Sequence, residues 1–373
     1  MTNPLVTLQS LGQSPWHDNI RRGLLTSGAL EKMVQAGDIT GLTSNPTIFE
    51  QAIAQSSDYS VAIAQLAQHG KSPEEIFDQL STDDIRAAAD VLAPVYKRTN
   101  SADGFVSIEV APYYAHDAQM TIAEARRLWK VVDRPNLMIK IPATPAGLPA
   151  IQQCIADGMN VNVTLIFSLQ RYIEVMDAYL AGLEERLAAG KPVKNIASVA
   201  SFFVSRVDSL VEKMLDEKIQ AGGDAEKLHK LKGQAAIANA KLAYAVFKKQ
   251  FAPARFQELA REGARVQRPL WASTSTKNPA YPDVYYVEAL IGPDTVNTMP
   301  PQTIVAYKDH GQPALRLEDN VDEARQTIAH LEAVGISMDA VTQQLETEGV
   351  ASFNKSFDML MKVVKEQCTA TEA

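Results

Sequence analysis

Cysteine is scarce in this chain, with two residues among 373. Cys154 and Cys368 lie far apart and form neither a metal-binding pair nor a disulfide framework, so a reducing compartment is expected. Basic residues are also outnumbered, because 36 lysines and arginines face 44 aspartates and glutamates, which gives a net charge of −8. Such an acidic chain is not expected to bind nucleic acid or an anionic membrane surface.

Long apolar runs and targeting segments are also missing. No stretch approaches the ~20 apolar residues that span a bilayer, and the first residues, MTNPLVTLQSLG, do not resemble a signal peptide. Nucleotide-binding fingerprints and phosphate loops are absent, and the six histidines form no metal-binding pair. We therefore expect a cytoplasmic protein without a metal or other cofactor.

Short strand-like segments alternate with longer amphipathic helical segments along the whole chain. The strands are predicted at 14–19, 38–44, 105–111, 136–143, 160–168, 196–204, 268–274 and 294–300. Eight such strands predict a (β/α)8 TIM barrel, with a doubly wound open sheet as the structural alternative. We expect one domain over residues 1–373, with extra helices between strands 6 and 7 (207–267) and C-terminal helices (320–373) that pack on the barrel.

Polar and apolar residues alternate within several predicted strands, although a parallel sheet covered by helices should be apolar on both faces. Glu109 in FVSIEVA, Lys140 in NLMIKIPA, and Asn162 and Thr164 in NVNVTLIFS share the polar face of their strands. The intervening helices should cover the apolar face, so the polar face points into the barrel. Because barrel interiors are normally filled with branched apolar side chains, this polar interior predicts a functional site.

Lys140 lies between Ile139 and Ile141, although lysine is rarely buried without a partner. We expect burial to lower the pKa of this lysine and to make its neutral amine available as a nucleophile. A neutral lysine amine attacks a carbonyl carbon and forms a Schiff base, which allows a neighbouring carbon–carbon bond to break. The structural alternative is a buried ion pair between Lys140 and Glu109.

Several polar residues are candidates for proton transfer and substrate binding. Asp18 and Glu109 are candidate acid–base groups, and Thr164 could act through a water molecule. Asn45 and Asn162 offer amides for sugar hydroxyls. As alternatives, Asp18 and Asn45 could cap helices.

Phosphate binding should come from separate side chains near the carboxyl ends of the late strands. SFFVSR supplies Ser201 and Arg206, and STSTKN supplies Ser273 and Lys277. As an alternative, Arg206 could pair with Asp208 or Glu212 on the following helix.

Five motifs, taken in order, resemble the transaldolase family: GLTSNPTIFEQAI (41–53), VSIEVAP (106–112), LMIKIPAT (137–144), NVNVTLIFS (160–168) and SFFVSRVD (201–208). WHDNIRRGLLTSG (16–28) and residues 271–300 resemble the longer bacterial subfamily in particular. The resemblance covers roughly residues 10–365. It implies a barrel enzyme of the pentose phosphate pathway that transfers a dihydroxyacetone unit between sugar phosphates.

The resemblance also implies roles for individual residues. Lys140 matches the Schiff-base lysine, Asp18 the acid–base aspartate, and Glu109 with Thr164 the pair that holds a catalytic water. Asn45 and Asn162 match amides that bind the dihydroxyacetone portion, while Ser201 and Arg206 match residues on the phosphate side. Many family members have a second phosphate-binding arginine after strand 7, where this chain reads ASTSTKN. Lys277, assisted by Ser273 or Ser275, is the expected replacement.

Three other interpretations of the function stay open at this point. The chain could be a lysine aldolase that cleaves fructose 6-phosphate without transfer, or a barrel that binds sugar phosphates without catalysis. It could also derive from a fusion with a second sugar-phosphate enzyme. The C-terminal segment 321–367 is expected to form two or three helices that either cover the barrel mouth or provide the contact of a homodimer.

Overall fold

The computed structural model describes residues 3–370 and contains eight parallel strands closed into a barrel. Each strand pairs with the next along the chain, and the eighth pairs with the first. The strands are β1 (Gln13–Asp18), β2 (Gly41–Thr43), β3 (Val106–Glu109), β4 (Leu137–Pro142), β5 (Val161–Ile166), β6 (Ser198–Phe203), β7 (Arg268–Ala272) and β8 (Thr295–Met299). The predicted (β/α)8 barrel is confirmed, and the open-sheet alternative is wrong.

Helices surround the barrel and fill the connections between the strands. They are α1 (Pro4–Ser10), α2 (Arg22–Thr26), α3 (Ala29–Gln35), α4 (Pro46–Ala54), α5 (Ser60–Gln68), α6 (Pro73–Arg98), α7 (Ala118–Val132), α8 (Gly147–Asp157), α9 (Leu169–Ala188), α10 (Ser205–Gln220), α11 (Ala225–His229), α12 (Ala235–Phe251), α13 (Ala254–Arg261), α14 (Tyr285–Ala289), α15 (Pro301–His310), α16 (Val321–Ala333) and α17 (Met338–Ala370). Helices α10 to α13 lie between β6 and β7, as predicted. None of the helices within residues 3–370 is long and apolar enough to cross a membrane.

Side-chain caps fix the start of two helices that follow strands at the carboxyl end of the barrel. The side chain of Asn45 accepts a hydrogen bond of 2.9 Å from the amide nitrogen of Ile48 and caps α4. Pro46 occupies the first turn of that helix, where its fixed φ angle suits helical geometry. Ser168 caps α9 in the same way through the amide nitrogen of Arg171. The backbone at these strand ends is therefore firmly placed.

The strand register places three predicted site residues side by side. Glu109 on β3 pairs with Lys140 on β4, and Lys140 pairs with Asn162 on β5. Residues paired in this way lie on adjacent strands and point to the same face of the sheet. The barrel therefore brings together a carboxylate, an ammonium and an amide that are far apart in sequence.

The regular alternation of β5 is interrupted near its carboxyl end. Leu165 has a φ of 60°, in the left-handed region, and the pairing of β5 with β6 shifts between Val163 and Ile166. This irregularity is a β-bulge, which redirects the side chains that follow it. The alternation of side chains predicted for the strand NVNVTLIFS is therefore interrupted after Thr164.

The C-terminal segment forms α16 and α17, within the predicted number of helices. Helix α17 packs against α4, α5, α6 and α10, and it also contacts β5. The hydroxyl of Thr47 on α4 donates a hydrogen bond of 2.8 Å to the Ser356 hydroxyl on α17. The long C-terminal helix is thus attached to the carboxyl end of the barrel.

Burial of His17 on β1 makes the stability of the fold sensitive to acid. Burial lowers the pKa of His17 to about 4, so between pH 6.5 and pH 4 the unfolded chain binds a proton that the folded chain excludes. Stability should fall as the pH falls through this range, by about 3 kcal/mol from this group. Urea unfolding should show a weaker pH dependence for His17→Gln, while His69→Gln, an exposed control, should leave the dependence unchanged. If the free energy of unfolding depends on pH in the same way for wild type and His17→Gln, the lowered pKa of His17 is contradicted.

Candidate active site

A cavity of about 490 Å³ opens at the carboxyl ends of the barrel strands. Most of the predicted site residues line it, namely Asp18, Asn45, Lys140, Thr164, Ser201, Arg206, Ser273 and Lys277. Glu109 and Asn162 lie behind this lining and contact Lys140 and Ser201, respectively. The structure therefore brings the residues chosen from sequence into one site.

Lys140 is at the centre of the site and is 5 % exposed. Its Nζ lies 3.1 Å from Oε2 of Glu109 and donates a hydrogen bond of 3.2 Å to the backbone oxygen of Ser44. Burial raises the pKa of Glu109, and the charge of Lys140 opposes that rise. The ion pair considered as a structural alternative is thus present, and it lies against a cavity large enough for a sugar phosphate.

Asp18 lies at the end of β1 and also faces the cavity. The hydroxyl of Thr43 donates a hydrogen bond of 2.7 Å to its carboxylate. Burial raises the pKa of Asp18, while Lys140 and Thr43 oppose the rise. The alternative role as a helix cap is wrong, because Arg21 is the residue that immediately precedes α2. A carboxyl group with a raised pKa can both accept and return a proton near neutral pH.

Two buried oxygen atoms of the site have no hydrogen-bond partner among the described residues. They are Oγ1 of Thr164 and Oε2 of Glu109, whose contact with Lys140 has ion-pair distance but not hydrogen-bond alignment. Buried polar atoms normally have a partner, and ordered water often supplies it. These two oxygens fit the expected pair that holds a water.

The two candidate amides, Asn162 and Asn45, differ in how many of their polar atoms have a hydrogen-bond partner among the described residues. Both polar atoms of Asn162 have a partner, because its Nδ2 donates a hydrogen bond of 3.0 Å to the Ser107 hydroxyl and its Oδ1 accepts one of 2.7 Å from the Ser201 hydroxyl. Asn45 uses its Oδ1 as the cap of α4, which confirms the structural alternative for that atom. Its Nδ2 has no partner within the described part of the chain. Asn45 can therefore cap a helix and still donate a hydrogen bond into the cavity.

The far side of the cavity is cationic. Arg206 and Lys277 both line it, burial lowers the pKa of each, and the positive charge of Arg206 lowers the pKa of Lys277 further. Nζ of Lys277 donates 2.9 Å to the Ser275 hydroxyl. The hydroxyl of Ser273 lies 2.9 Å from that of Ser205, in the first turn of α10. Two cations at the wall of one cavity favour the binding of a dianion such as phosphate.

The alternative partners considered for Arg206 are occupied elsewhere. Asp208 accepts hydrogen bonds from the amide nitrogen of Ala236 and from the Tyr286 hydroxyl, both at 2.8 Å. Glu212 accepts from Tyr281 and Asn278. The Arg206 guanidinium instead lies 5.0 Å from the ring centroid of Phe203. The alternative pairing with either carboxylate is wrong, and the guanidinium of Arg206 lines the cavity.

The sequence analysis missed several residues of the cavity, among them Thr43, Phe203 and Phe353. Thr43 and Phe203 lie at the ends of strands β2 and β6, so a systematic search of strand ends would have found them. Phe353 comes from α17, far along the chain, and its ring lies 5.7 Å from Nζ of Lys140. No spacing in the sequence connects Phe353 with the barrel.

Removing Lys140 should leave Glu109 as an unpaired buried carboxyl group. We expect Lys140→Met to cost about 3–5 kcal/mol when Glu109 is ionised. Protonation of Glu109 relieves this cost. Since the pKa of Glu109 in the folded protein is raised, the stability deficit should grow as the pH rises from 5.5 to 8.

Urea unfolding at both pH values measures this deficit. The double variant Lys140→Met/Glu109→Gln is the control, because it removes the carboxyl group and should show a smaller deficit with little pH dependence. A Lys140→Met deficit that is the same at pH 5.5 and pH 8 would contradict the buried pair.

Comparisons with known proteins agree with this geometry. Residues 15–364 match the sequence profile of the family described as Transaldolase/Fructose-6-phosphate aldolase. Transaldolase 2 of a Nostoc species is 50 % identical over 365 residues, which cover 96 % of each chain. The transaldolase of Thermobifida fusca is 50 % identical over 371 residues, covering 99 % of this chain and 100 % of its own. The transaldolase of Frankia alni is 49 % identical over 98 % of both chains. This chain therefore belongs to the transaldolase family and is a transferase.

Proposed function

We propose that this transaldolase transfers a dihydroxyacetone unit through a Schiff base on Lys140. The donor is sedoheptulose 7-phosphate or fructose 6-phosphate, and the acceptor is glyceraldehyde 3-phosphate or erythrose 4-phosphate. The observation that carries the proposal is the buried amino group of Lys140 beside Glu109, at the wall of a cavity with cations on its far side. A lysine amine in such a setting is suited to attack the ketone carbon of the donor.

In this proposal Glu109 accepts the proton of Lys140 and returns it. The amine must lose its proton before it attacks, and the carboxylate 3.1 Å away is placed to accept it. Burial raises the pKa of Glu109, so the carboxyl group can hold this proton and return it. Together with Thr164 it supports the water that leaves when the carbinolamine becomes an iminium ion.

The carboxyl group of Asp18 carries out the second proton transfer, at the substrate hydroxyl. It enters the cavity from β1, with its carboxylate held by Thr43. In this role Asp18 removes the proton from the substrate hydroxyl next to the breaking bond. Carbon–carbon cleavage then releases the aldose phosphate, and the electron pair moves into the iminium to form an enamine on Lys140. The same carboxyl group returns a proton when the acceptor aldehyde has added.

The amides and the cations orient the substrate. Nδ2 of Asn45 donates a hydrogen bond to an oxygen of the dihydroxyacetone portion. The hydrogen-bonded side chains of Asn162 and Ser201 lie beside it and are held in place by each other. At the far side, Arg206 and Lys277 hold the phosphate, with Ser273 and Ser275 close by. Arginine contributes a planar fork and lysine a point charge, so Arg206 should contribute more to phosphate binding. A cytoplasmic location and a homodimer stay predictions from the sequence.

Borohydride trapping tests the position of the Schiff base. Incubation with fructose 6-phosphate and borohydride should leave a reduced dihydroxyacetone adduct on Lys140, which peptide mass spectrometry locates. Lys140→Met should give no adduct and lose transfer activity by at least about 10³-fold. Lys277→Met, the matched lysine control in the same cavity, should still be trapped. An adduct on another lysine, or none with bound substrate, would reject the proposed mechanism.

The cationic side of the cavity can be tested through the phosphate group of the substrate. Arg206→Met should raise KM for fructose 6-phosphate by about 10²-fold and Lys277→Met by about 10-fold, because each removes a charge-assisted contact. With unphosphorylated fructose as donor, the same variants should behave like wild type. Equal losses with both donors would mean that these residues support the fold of the site and do not bind phosphate.

A further inference from the structure

One face of helix α17, near the middle of the helix, contacts the active site. Gly349 lies so close to β5 that a Cβ atom there would come within 3.0 Å of Cδ2 of Leu165. Phe353, one helical turn later on the same face, lines the active-site cavity and is 4 % exposed. The bulged conformation of Leu165 and the missing side chain at Gly349 thus allow the aromatic ring to reach the barrel mouth.

The ring of Phe353 is an apolar neighbour of the Lys140 amino group. The ring centroid lies 5.7 Å from Nζ, within the range of cation–π contacts. Glu109 and the backbone oxygen of Ser44 also lie close to Nζ, at 3.1 and 3.2 Å. The amino group thus has two polar neighbours and one apolar ring, which offers water no strong partner.

The apolar ring matters because the enamine on Lys140 has two possible fates. It can attack an acceptor aldehyde, which forms a new carbon–carbon bond and an iminium of the product ketose, and one water then hydrolyses this iminium and restores the free amine. Alternatively, a proton adds to the enamine carbon, water adds to the resulting iminium carbon, and dihydroxyacetone leaves with the free amine restored. One water is released when the iminium forms and one is consumed when it is hydrolysed, so fructose 6-phosphate then yields glyceraldehyde 3-phosphate and dihydroxyacetone.

We propose that the ring of Phe353 over Lys140 determines the partition between these fates and favours transfer by keeping water, the proton source, from the enamine carbon. This inference rests on the Schiff base proposed for Lys140. The acceptor carries a phosphate, and Arg206 and Lys277 offer it two positive charges in the same cavity. Phe353 is thus a specificity-determining residue that the family profile does not by itself assign.

The partition is measured as two rates with fructose 6-phosphate as donor. One is the release of dihydroxyacetone without acceptor, and the other is transfer to erythrose 4-phosphate. Phe353→Leu keeps an apolar side chain but removes the flat ring, so the ratio of release to transfer should rise at least about 10-fold. Phe353→Met, with a flexible apolar side chain that fills irregular space, should raise the ratio in the same direction.

Phe357→Leu is the matched control. Phe357 lies one turn further along α17, packs against Phe77 and Tyr113, and lines a neighbouring cavity of about 450 Å³ that Asn45 and Glu109 also line. Its replacement also weakens the packing of the same helix but leaves the ring over Lys140, so the ratio should stay at the wild-type value. A higher ratio of release to transfer in both Phe353→Leu and Phe357→Leu would show that loosening of α17 is responsible and would overturn the role of the ring.

Borohydride trapping separates this inference from the proposed function. If Lys140 is trapped in wild type and in both Phe353 variants while their release-to-transfer ratio equals that of wild type, the inference about Phe353 is rejected and the Schiff base stands. If Lys140 is not trapped in the wild-type protein, the proposed function fails, and the inference fails with it.

Discussion

The buried ion pair between Lys140 and Glu109 is the constraint on which the site depends. Two charges inside a barrel are costly unless each has a close partner and further hydrogen bonds. Here the pairing of β3 with β4 places the two residues opposite each other, and the backbone oxygen of Ser44 supplies the additional acceptor. The register of β3 and β4 therefore determines whether the two charges meet, because a shift of one residue would turn either side chain out of the barrel.

The cavity separates two kinds of charge. Its inner part holds carboxyl groups whose pKa values burial raises, Asp18 and Glu109, and its outer part holds cations whose pKa values burial lowers, Arg206 and Lys277. Proton transfer needs groups that change charge readily, whereas phosphate binding needs groups that stay positive. The arrangement thus matches a substrate with a carbonyl at one end and a phosphate at the other.

Much of the fold and the main polar and charged residues of the cavity could be predicted from sequence because the signals are local. Alternation within a strand identified the inward side chains, and the order of strands and helices identified the barrel. The bulge at Leu165 could not be predicted, since nothing in its neighbours requires a φ of 60°. The contact of Phe353 with Lys140 was also missed, because it depends on how a distant helix packs and leaves no periodic signal.

The pairing of β1 with β8 has a consequence for how the protein acquires its shape. The first strand has no second neighbour until nearly the whole barrel has been synthesised, so its edge stays open during most of biosynthesis. Contacts between segments this far apart make folding slow and expose strand edges to wrong pairing. Since α17 follows β8 in the chain, Phe353 can reach Lys140 only after the last strand has been made. A partly made chain would therefore carry an unshielded lysine, and the enzyme becomes competent in one late step.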